Sequence, residues 1–525
     1  MTLSIILQFV VVLAAIWMGA RSSGVGLGLW GAVGLLVLVV AFGVNPTSPP
    51  IDVMLIILAV IMAASVMDAA GGIDFLVRIA ERIIRANPKY VTIVAPLTTW
   101  SFTFVAGTGH IVYPLLPVIY ETAHQSGIRP ERPMAIATIA SQQAITASPV
   151  AAATAAMIGL FAEKGMTQWG LPQILMVCVP ATLVGVLVGA IVSMFVGKEL
   201  KDDPEYLALV AAGKIKPPKA IANVPAVQAA LAKAPRHTAD EDDVITIDPR
   251  VRETLRAAAA ASGASWPSGG VAVVEAPPAA RAPSGTNVRA PAPPTSAGPG
   301  NGPAGEGRAP LKASAKLSAY VFLAGVALVV LFGFFPELRK LPGAKDPLAM
   351  PTVIEIVMMS VAAIMLVLTK VLVDEIPKTP TLRAGVVAVI GIFGLAWLGD
   401  SFISANKDVI VPAIGSWAKV APWTFAFGLF FASVLLYSQA ATTRALMPLG
   451  IALGIPPQFL IAMFPSVNGY FFIPTYGSLI AAINFDQSGT TKIGKYVLNH
   501  SFMIPGLVST AVAVTTGLFL ARIIF

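Results

Sequence analysis

Residues 90–123, YVTIVAPLTTWSFTFVAGTGHIVYPLLPVIYETA, and residues 422–455, PWTFAFGLFFASVLLYSQAATTRALMPLGIALGI, are two matched apolar stretches of this chain. Each has a small polar tip, GTGH at 107–110 in the first and SQAATTR at 438–444 in the second. One helical crossing of the hydrocarbon core takes about 20 residues, so each stretch is long for one crossing and too short for two. We predict that both enter the membrane, turn midway and leave by the same side, which requires the turn to be buried in protein or to line a cavity.

The composition is that of a polytopic membrane protein. Of the 525 residues, 56% are hydrophobic and only 12% are charged, whereas a soluble domain has about 25% charged residues. The apolar N-terminal run has no basic region before it and no small-residue cleavage site, which favours a retained membrane helix over a signal peptide. The single cysteine, Cys178, excludes a disulfide within the chain and a cysteine-rich metal cluster.

Apolar segments divide the chain into a first membrane repeat at 1–197, a linker at 198–316 and a second membrane repeat at 317–525. We predict an all-α polytopic protein in which each repeat has five transmembrane helices and one re-entrant hairpin. Because five is odd, the second repeat starts from the opposite side, so the repeats are inverted in topology, as in many secondary transporters. The predicted crossings are 3–20, 24–43, 51–68, 134–162, 171–196, 317–335, 348–370, 384–403, 457–484 and 497–522.

The distribution of basic residues predicts the orientation. Cytoplasmic loops of membrane proteins carry an excess of lysine and arginine. The predicted topology places most loop cations on one side, together with the linker, while Arg339, Lys340 and Lys345 fall on the other. We therefore predict that both termini are periplasmic and that the linker is cytoplasmic. The cations on the predicted cytoplasmic side are Arg78, Arg82, Arg85, Lys89, Arg129, Arg132, Lys370, Lys378, Arg383, Lys492 and Lys495.

The linker at 198–316 has a different composition from the rest of the chain. It is rich in alanine, proline, glycine and charge, as in APAPPTSAGPGNGP at 290–303. Such a segment buries too little apolar surface to offset its chain entropy, so we predict that most of it is disordered. The simplest role is a cytoplasmic tether between the repeats, and a docking site for an unknown regulatory partner is the alternative.

Each hairpin is followed by a helix with a polar interruption. The sequences are SQQAITASP at 141–149 and SVNGYFFIP at 466–474, with serine and proline eight positions apart in both. Proline removes a backbone donor and clashes with the preceding turn, so the helix breaks there. The freed N–H groups at a half-helix end carry positive partial charge and bind anions. Two tips and two breaks that meet near the midplane therefore predict a site for a small carboxylate.

Side chains in these four elements suit that ligand, because hydroxyl, amide and guanidinium groups all donate hydrogen bonds to carboxylates. None of the four elements contains an aspartate or glutamate, whereas a cation exchanger usually needs buried acids. The predicted substrate-binding residues are Thr108, Gly109, His110, Ser141, Gln142, Thr146, Ser148, Ser438, Gln439, Thr442, Thr443, Arg444, Asn468, Tyr470 and Thr475.

Two of these residues have a second interpretation. Arg444 is the basic side chain of the second tip, and it either clamps a carboxylate or extends to the membrane surface. His110 either caps the first tip or acts as a ligand donor or proton carrier. Serine and threonine in membrane helices also often bond only their own backbone or a neighbouring helix.

Several short strings resemble a known family. They are PPIDVML at 49–55, NPKYV at 87–91, GTGH at 107–110, GIRPERP at 127–133, ASP at 147–149, FDQSGTT at 485–491 and NHSFMIPG at 499–506. Together they resemble the anaerobic C4-dicarboxylate transporter (Dcu) family, within the ion-transporter superfamily fold, and they cover both membrane repeats.

The resemblance implies a carrier of the bacterial inner membrane that exchanges fumarate, succinate, malate and aspartate. It also implies a homodimer with an elevator-like motion. Two features depart from the family pattern. The linker is longer than the family's central loop, and the segment 442–444 is less alanine-rich, so the resemblance does not support Arg444 as an essential clamp. Arg444 would instead tune which dicarboxylate is preferred.

Two other functional classes are weighed against this prediction. A cation/proton antiporter or oxyanion exporter on the same fold predicts acids at the broken helices, which the sequence lacks there. An intramembrane enzyme needs a nucleophile with its base, or a metal site, and none of the four histidines has such a partner motif. We therefore predict a transporter and no enzyme, with no cofactor and no metal. The predicted partners are small dicarboxylates, the lipid bilayer and a second copy of the chain, with no nucleic acid.

Overall fold

A computed structural model describes residues 3–22, 25–234, 311, 313–409, 421–436, 438–474, 476–494 and 498–525. The described part of the chain is all-helical, as predicted. Six helices of the described part are long and apolar enough to cross a membrane. These features support the prediction of a polytopic membrane protein.

The first half of the chain consists of helices joined by short turns. In order, they are α1 Leu3–Ser22, α2 Gly26–Phe42, α3 Ile51–Ala69, α4 Gly72–Ala86, α5 Val91–Ala106, α6 Val112–Gln125, α7 Glu131–Gln143, α8 Ala152–Glu163, α9 Leu171–Ser193, α10 Pro204–Ala211, α11 Lys219–Ala222 and α12 Pro225–Leu231.

The described part of the second half is also helical. Its helices are α13 Ala313–Phe334, α14 Met350–Thr369, α15 Pro380–Gly391, α16 Trp397–Ala405, α17 Phe425–Leu436, α18 Gln439–Ala452, α19 Pro457–Met463, α20 Gly477–Phe485 and α21 Met503–Ile524. A π-helical turn, Ile392–Ala396, joins α15 to α16 without ending the helix.

Helix α4 has the strongest contrast between an apolar and a charged face. Phe75, Leu76, Ala80 and Ile84 are buried, and the charged residues lie between them in the sequence. This spacing places the buried residues on one side of the helix, which packs against the first helix pair described next. The helix therefore fits the membrane surface better than its interior.

Each predicted hairpin is a pair of short helices. Helices α5 and α6 form the first pair, and α17 and α18 form the second. In the first pair, α5 ends at Gly107, whose φ of +70° favours glycine. A Cβ at this position would lie 2.6 Å from the Val150 carbonyl oxygen, so the first tip packs directly on the broken helix that follows it.

Both polar interruptions break their helices. After α7, a 3-10 turn covers Ala144–Thr146, and the chain is extended at Ala151 before α8 begins. After α19, a 3-10 segment covers Phe464–Phe471 and is kinked at Asn468. We call residues 144–151 the first break and 464–476 the second break. Pro149 and Pro465, which cannot donate to the preceding turn, lie within them.

The helices that carry the breaks and pairs pack together. Helix α9 packs along α21, and both contact α7. Helices α3, α13, α14 and α15 form a second group, in which α3 contacts the other three. The site described below lies within the first group.

The first part of the predicted linker is not disordered. Leu200, Tyr206, Val210, Ile221 and Val227 form a small apolar cluster that holds α10, α11 and α12 together. The prediction of disorder at 198–316 is therefore wrong for residues 200–231, because these apolar residues are close enough in sequence to bury one another. Helix α13 also begins at Ala313, before the predicted start of the second repeat at 317. Residues 235–310 lie outside the described residues.

Polar contacts attach this ordered segment to the membrane helices. The buried Arg129, just before α7, pairs with Glu131 and with Asp203, which caps α10. The Tyr206 hydroxyl lies 3.0 Å from His124 Nε2 at the end of α6. The segment is thus docked at the end of the first helix pair, and we call residues 199–231 the docked segment.

Candidate functional site

The two tips and the two breaks meet in one buried polar centre. Gln439, at the start of α18, donates through Nε2 to Gln142 Oε1 at 2.9 Å and to Asn468 Oδ1 at 3.2 Å. Gln142 lies in the last turn of α7, just before the first break, and Asn468 is the kinked residue of the second break. The second tip therefore touches both breaks through one amide.

The first tip joins the same centre through backbone and small residues. The Ser141 hydroxyl donates to the Gly109 carbonyl at 3.1 Å and lies 2.9 Å from Thr103 Oγ1 on α5. A Cβ at Gly109 would overlap the Gln142 side-chain nitrogen, so a residue with a Cβ there would displace this amide. Four elements distant in sequence are thus held within hydrogen-bonding distance of one another.

The second tip is fixed to the second break by a further contact. Ser433 on α17 accepts from the Gly469 backbone N–H at 2.7 Å and donates to the Phe430 carbonyl at 2.7 Å. Helix α18 then begins with Ser438 as its N-cap, whose hydroxyl accepts from the Ala441 N–H. The N-terminal end of α18, with its positive partial charge, therefore starts at Gln439, beside the polar centre.

Several predicted site hydroxyls bond their local backbone. Thr146 donates to the Gln143 carbonyl, Thr442 to the Ser438 carbonyl and Thr443 to the Gln439 carbonyl. Ser148 accepts from the Val150 N–H, and Thr108 accepts from the His110 N–H as the cap of the first tip. These side chains shape the tips and breaks, and no bond links them to the amides of the centre in the described structure.

Arg444 is buried and paired with an acid. Its Nη1 lies 2.9 Å from Glu163 Oε2 at the end of α8, and its side chain is 4% exposed. The neighbouring Lys164 pairs with Asp400 on α16 at 3.6 Å. Because Glu163 already neutralises the guanidinium, Arg444 binds neither the amide centre nor the membrane surface in this state.

The remaining predicted residues lie around the centre in different ways. Tyr470 is buried, its ring centroid is 4.8 Å from that of Tyr476, and its hydroxyl has no partner in the described structure. His110 is exposed and stacks on Tyr113 at 5.9 Å between centroids. Thr475 lies outside the described residues.

Sequence reasoning missed three residues that complete the centre. Gln143 accepts from Asn468 Nδ2 at 3.3 Å and donates to Thr510 Oγ1 on α21 at 2.8 Å, and Thr103 contacts Ser141 from α5. Gln143 stands next to Gln142 in the interrupted string, so its position gave a signal. Thr510 gave none, since it is one of several serine and threonine residues of α21 and lies far in sequence from both breaks.

The centre suits an anion better than a cation. Its described side chains supply amides and hydroxyls, and no described acid bonds to them. Hydrogen bonds to an ionised acceptor are about twice as strong as neutral ones, so such donors favour a carboxylate.

Comparison with known proteins matches both halves of the chain. The family model described as anaerobic C4-dicarboxylate membrane transporter matches residues 4–239 and 297–525. The unmatched stretch at 240–296 lies within the predicted linker.

Curated relatives match over nearly their whole length. Anaerobic C4-dicarboxylate transporter DcuB of Escherichia coli O6:H1 is 33% identical over 97% of each chain. C4-dicarboxylate transporter DcuA of Escherichia coli K12 is 36% identical over 98% of this chain and 99% of its own. C4-dicarboxylate transporter DcuA of Wolinella succinogenes is 34% identical over 99% of this chain and 100% of its own.

The family match explains why the strings that carried the resemblance occur in both halves. It also confirms the prediction of a transporter, since the family is one of membrane transporters and not of enzymes. The apolar helices and the transporter relatives together make the protein a multi-pass membrane protein. The chain belongs to the family of anaerobic C4-dicarboxylate membrane transporters.

Proposed function

We propose that this protein exchanges C4-dicarboxylates, namely fumarate, succinate, malate and aspartate, across the bacterial inner membrane. The observation that carries the proposal is the convergence of two helix-pair tips and two broken helices on Gln142, Gln439 and Asn468. The names of the curated relatives, which are C4-dicarboxylate transporters, support the same substrate class.

The chemistry of the centre favours a small dianion. The side-chain nitrogen of Gln142, together with the N-terminal end of α18, offers donors and positive partial charge to a carboxylate. A cation/proton antiporter on this fold would instead need acids at the breaks. Glu163, at the end of α8, pairs with Arg444 and makes no described bond to the amides of the centre.

The architecture supports transport by alternating access. In our proposal, the two helix pairs are re-entrant hairpins, and the chain crosses the membrane ten times in two inverted repeats. The hairpins and broken helices form the moving unit, which carries the substrate in an elevator-like motion. The first three spans of each repeat form a static scaffold that makes a homodimer.

The orientation follows from the basic loops. Both termini are periplasmic, and the linker with its docked segment is cytoplasmic. The first helix pair then opens toward the cytoplasm and the second toward the periplasm. The site between the two tips is therefore reached from each side in turn.

Counterflow in proteoliposomes tests the substrate class. Vesicles containing the purified protein and loaded with unlabelled succinate are placed in traces of labelled fumarate, malate, aspartate, citrate or phosphate. We expect transient accumulation of the four-carbon dicarboxylates alone. Accumulation of phosphate, or of no acid in the panel, would contradict the proposal.

A further inference from the structure

Gln143, which is not a predicted site residue, lies in the middle of a chain of hydrogen bonds that runs from the polar centre to α21. It is fully buried and bonds in two directions, to Asn468 through Oε1 and to Thr510 through Nε2. Thr510 is 5% exposed and belongs to α21, which contributes no other residue to the centre. The chain therefore connects the polar centre to a helix that is not part of either tip or either break.

One end of this chain is fixed by a backbone carbonyl. Asn468 Nδ2 donates to the Pro465 carbonyl at 3.0 Å as well as to Gln143. A carbonyl oxygen can only accept, so the nitrogen of Asn468 must face it, and the oxygen of Asn468 must face Gln439. With its nitrogen facing Asn468 and Gln142, Gln439 uses both amide hydrogens within the centre.

The fixed orientation leaves one amide donor group free. Gln142 presents its oxygen to Gln439, so its nitrogen points away and lies against Gly109 of the first tip. No described residue accepts a hydrogen bond from this nitrogen. Reversing any amide in the chain would place two donors or two acceptors face to face. Gln143 accepts from Asn468 and is held in place by its bond to Thr510, so it stabilises the arrangement that leaves the Gln142 nitrogen available.

We propose that Gln143 and Thr510 are positioning residues for the carried dicarboxylate. They fix the amides of Asn468 and Gln439, and through them they present the Gln142 amide hydrogens to a substrate carboxylate at the first tip. Neither residue touches the substrate. This inference rests on the proposed dicarboxylate transport.

The test compares threonine variants that differ in their place in this chain. Thr510→Val keeps the shape of the side chain but removes the acceptor of Gln143, whereas Thr510→Ser restores a hydroxyl. Thr138→Val is the matched control, because Thr138 is equally buried and donates only to the Met134 carbonyl of its own helix. Gln143→Leu removes both side-chain hydrogen bonds of Gln143, the one to Asn468 and the one to Thr510.

We measure half-saturation and maximal rate of succinate exchange, together with the melting temperature of the ligand-free protein. We expect Thr510→Val to raise half-saturation about 5- to 10-fold, because it removes a hydrogen bond that positions the binding amide. Gln143→Leu should raise half-saturation more, and the maximal rate should stay nearly unchanged in both variants. Thr510→Ser and Thr138→Val stay within about twofold of the parent.

Two results overturn the inference. The first is unchanged half-saturation in Thr510→Val, and the second is a lower melting temperature without any change in half-saturation, which is the outcome of a purely structural role. If Gln143→Leu does not fold, the comparison of Thr510→Val with Thr510→Ser still decides. Failure of the parent protein to exchange any dicarboxylate would instead contradict the proposed function.

Discussion

The absence of a side chain at Gly109 allows the first tip to reach the centre. Gly109 is buried, its carbonyl accepts from Ser141, and a Cβ would occupy the space of the Gln142 nitrogen. We expect Gly109→Ala to displace Gln142 and to raise the half-saturation for succinate about tenfold, the effect of losing a good hydrogen bond.

The control for this variant is Gly428→Ala. Gly428 lies in α17, and a Cβ there would meet nothing within 4 Å. Alanine is also the better helix former, so this variant should transport like the parent. Equal half-saturation in both variants would show that the tip does not depend on the Gln142 contact.

The ion pair of Arg444 decides its role. Because Glu163 pairs with Nη1 of Arg444, we expect Arg444→Met to change half-saturation for succinate less than about threefold, while loss of this pair between the buried Arg444 and the partly exposed Glu163 lowers the melting temperature. Exchange kinetics and thermal unfolding of the same preparation measure the two effects separately. A large loss of affinity with unchanged stability would restore Arg444 as the substrate clamp.

The sequence predicts the site only as far as its local patterns reach. The sequence alone indicates a polar site at Gln142, Gln439 and Asn468, because each lies in a polar string flanked by apolar helix. The pairing of Arg444 with Glu163 joins residues from opposite halves of the chain, and only packing of α18 on α8 brings them together. Thr510 is likewise brought to Gln143 only by the packing of helices that are far apart in the sequence.

At the scale of helices, we propose that the two helix pairs are re-entrant hairpins. We expect single cysteines at Thr108 and Ser438 to react slowly with a membrane-impermeant maleimide, and to be protected further by succinate, because both lie partly buried at the proposed re-entrant tips. The background is a Cys178→Ala protein, since Cys178 is buried and free.

Exposed loop positions give the controls for this labelling. Cysteines at Ser48 and Lys89, which are exposed on predicted opposite sides, should react rapidly from the periplasm and the cytoplasm respectively. Rapid labelling of Thr108→Cys from the periplasm, without substrate, would show that the first helix pair is two full crossings.

Helix boundaries are predictable where proline or a cap marks them, and less so elsewhere. Thr379 accepts from the Leu382 N–H and starts α15 four residues before the predicted span. Helix α21 begins at Met503, after the predicted start at 497, because the preceding loop is organised by Asp486. This carboxylate accepts from Ser488, Thr490 and the Thr491 backbone, an arrangement that no apolar pattern reports.

For the whole molecule, the linker has two parts with different expected roles. We expect deletion of residues 240–296, which the family model does not match, to leave exchange and melting temperature near those of the parent. Deletion of 221–309 also removes Ile221, Val227 and Ala230 of the docked segment, so it should lower the melting temperature. Equal stability of the two proteins would show that the docked segment contributes nothing to the membrane fold.

The charge of Asp203 links this docking to pH. Burial alone would raise its pKa, but bonds from Arg129 and from the backbone of Tyr206 and Glu205 hold the pKa below its ordinary value of 3.8. The carboxylate therefore contributes stability above that value, and the contribution is lost as the pH falls through the lower pKa of the folded state. Docking should thus be insensitive to pH in the neutral range.

The central claim is that the moving unit returns across the membrane faster with a dicarboxylate bound between the tips than with the site empty. An empty site leaves the Gln142 donors and the N-terminal end of α18 without an anion, so its return should be slower than that of the loaded site. The most direct test is efflux of labelled succinate from proteoliposomes, into buffer or into buffer with fumarate, malate or aspartate. We predict slow efflux that external dicarboxylate accelerates several-fold, whereas equal efflux with and without it would contradict obligatory exchange and favour uniport or ion-coupled symport.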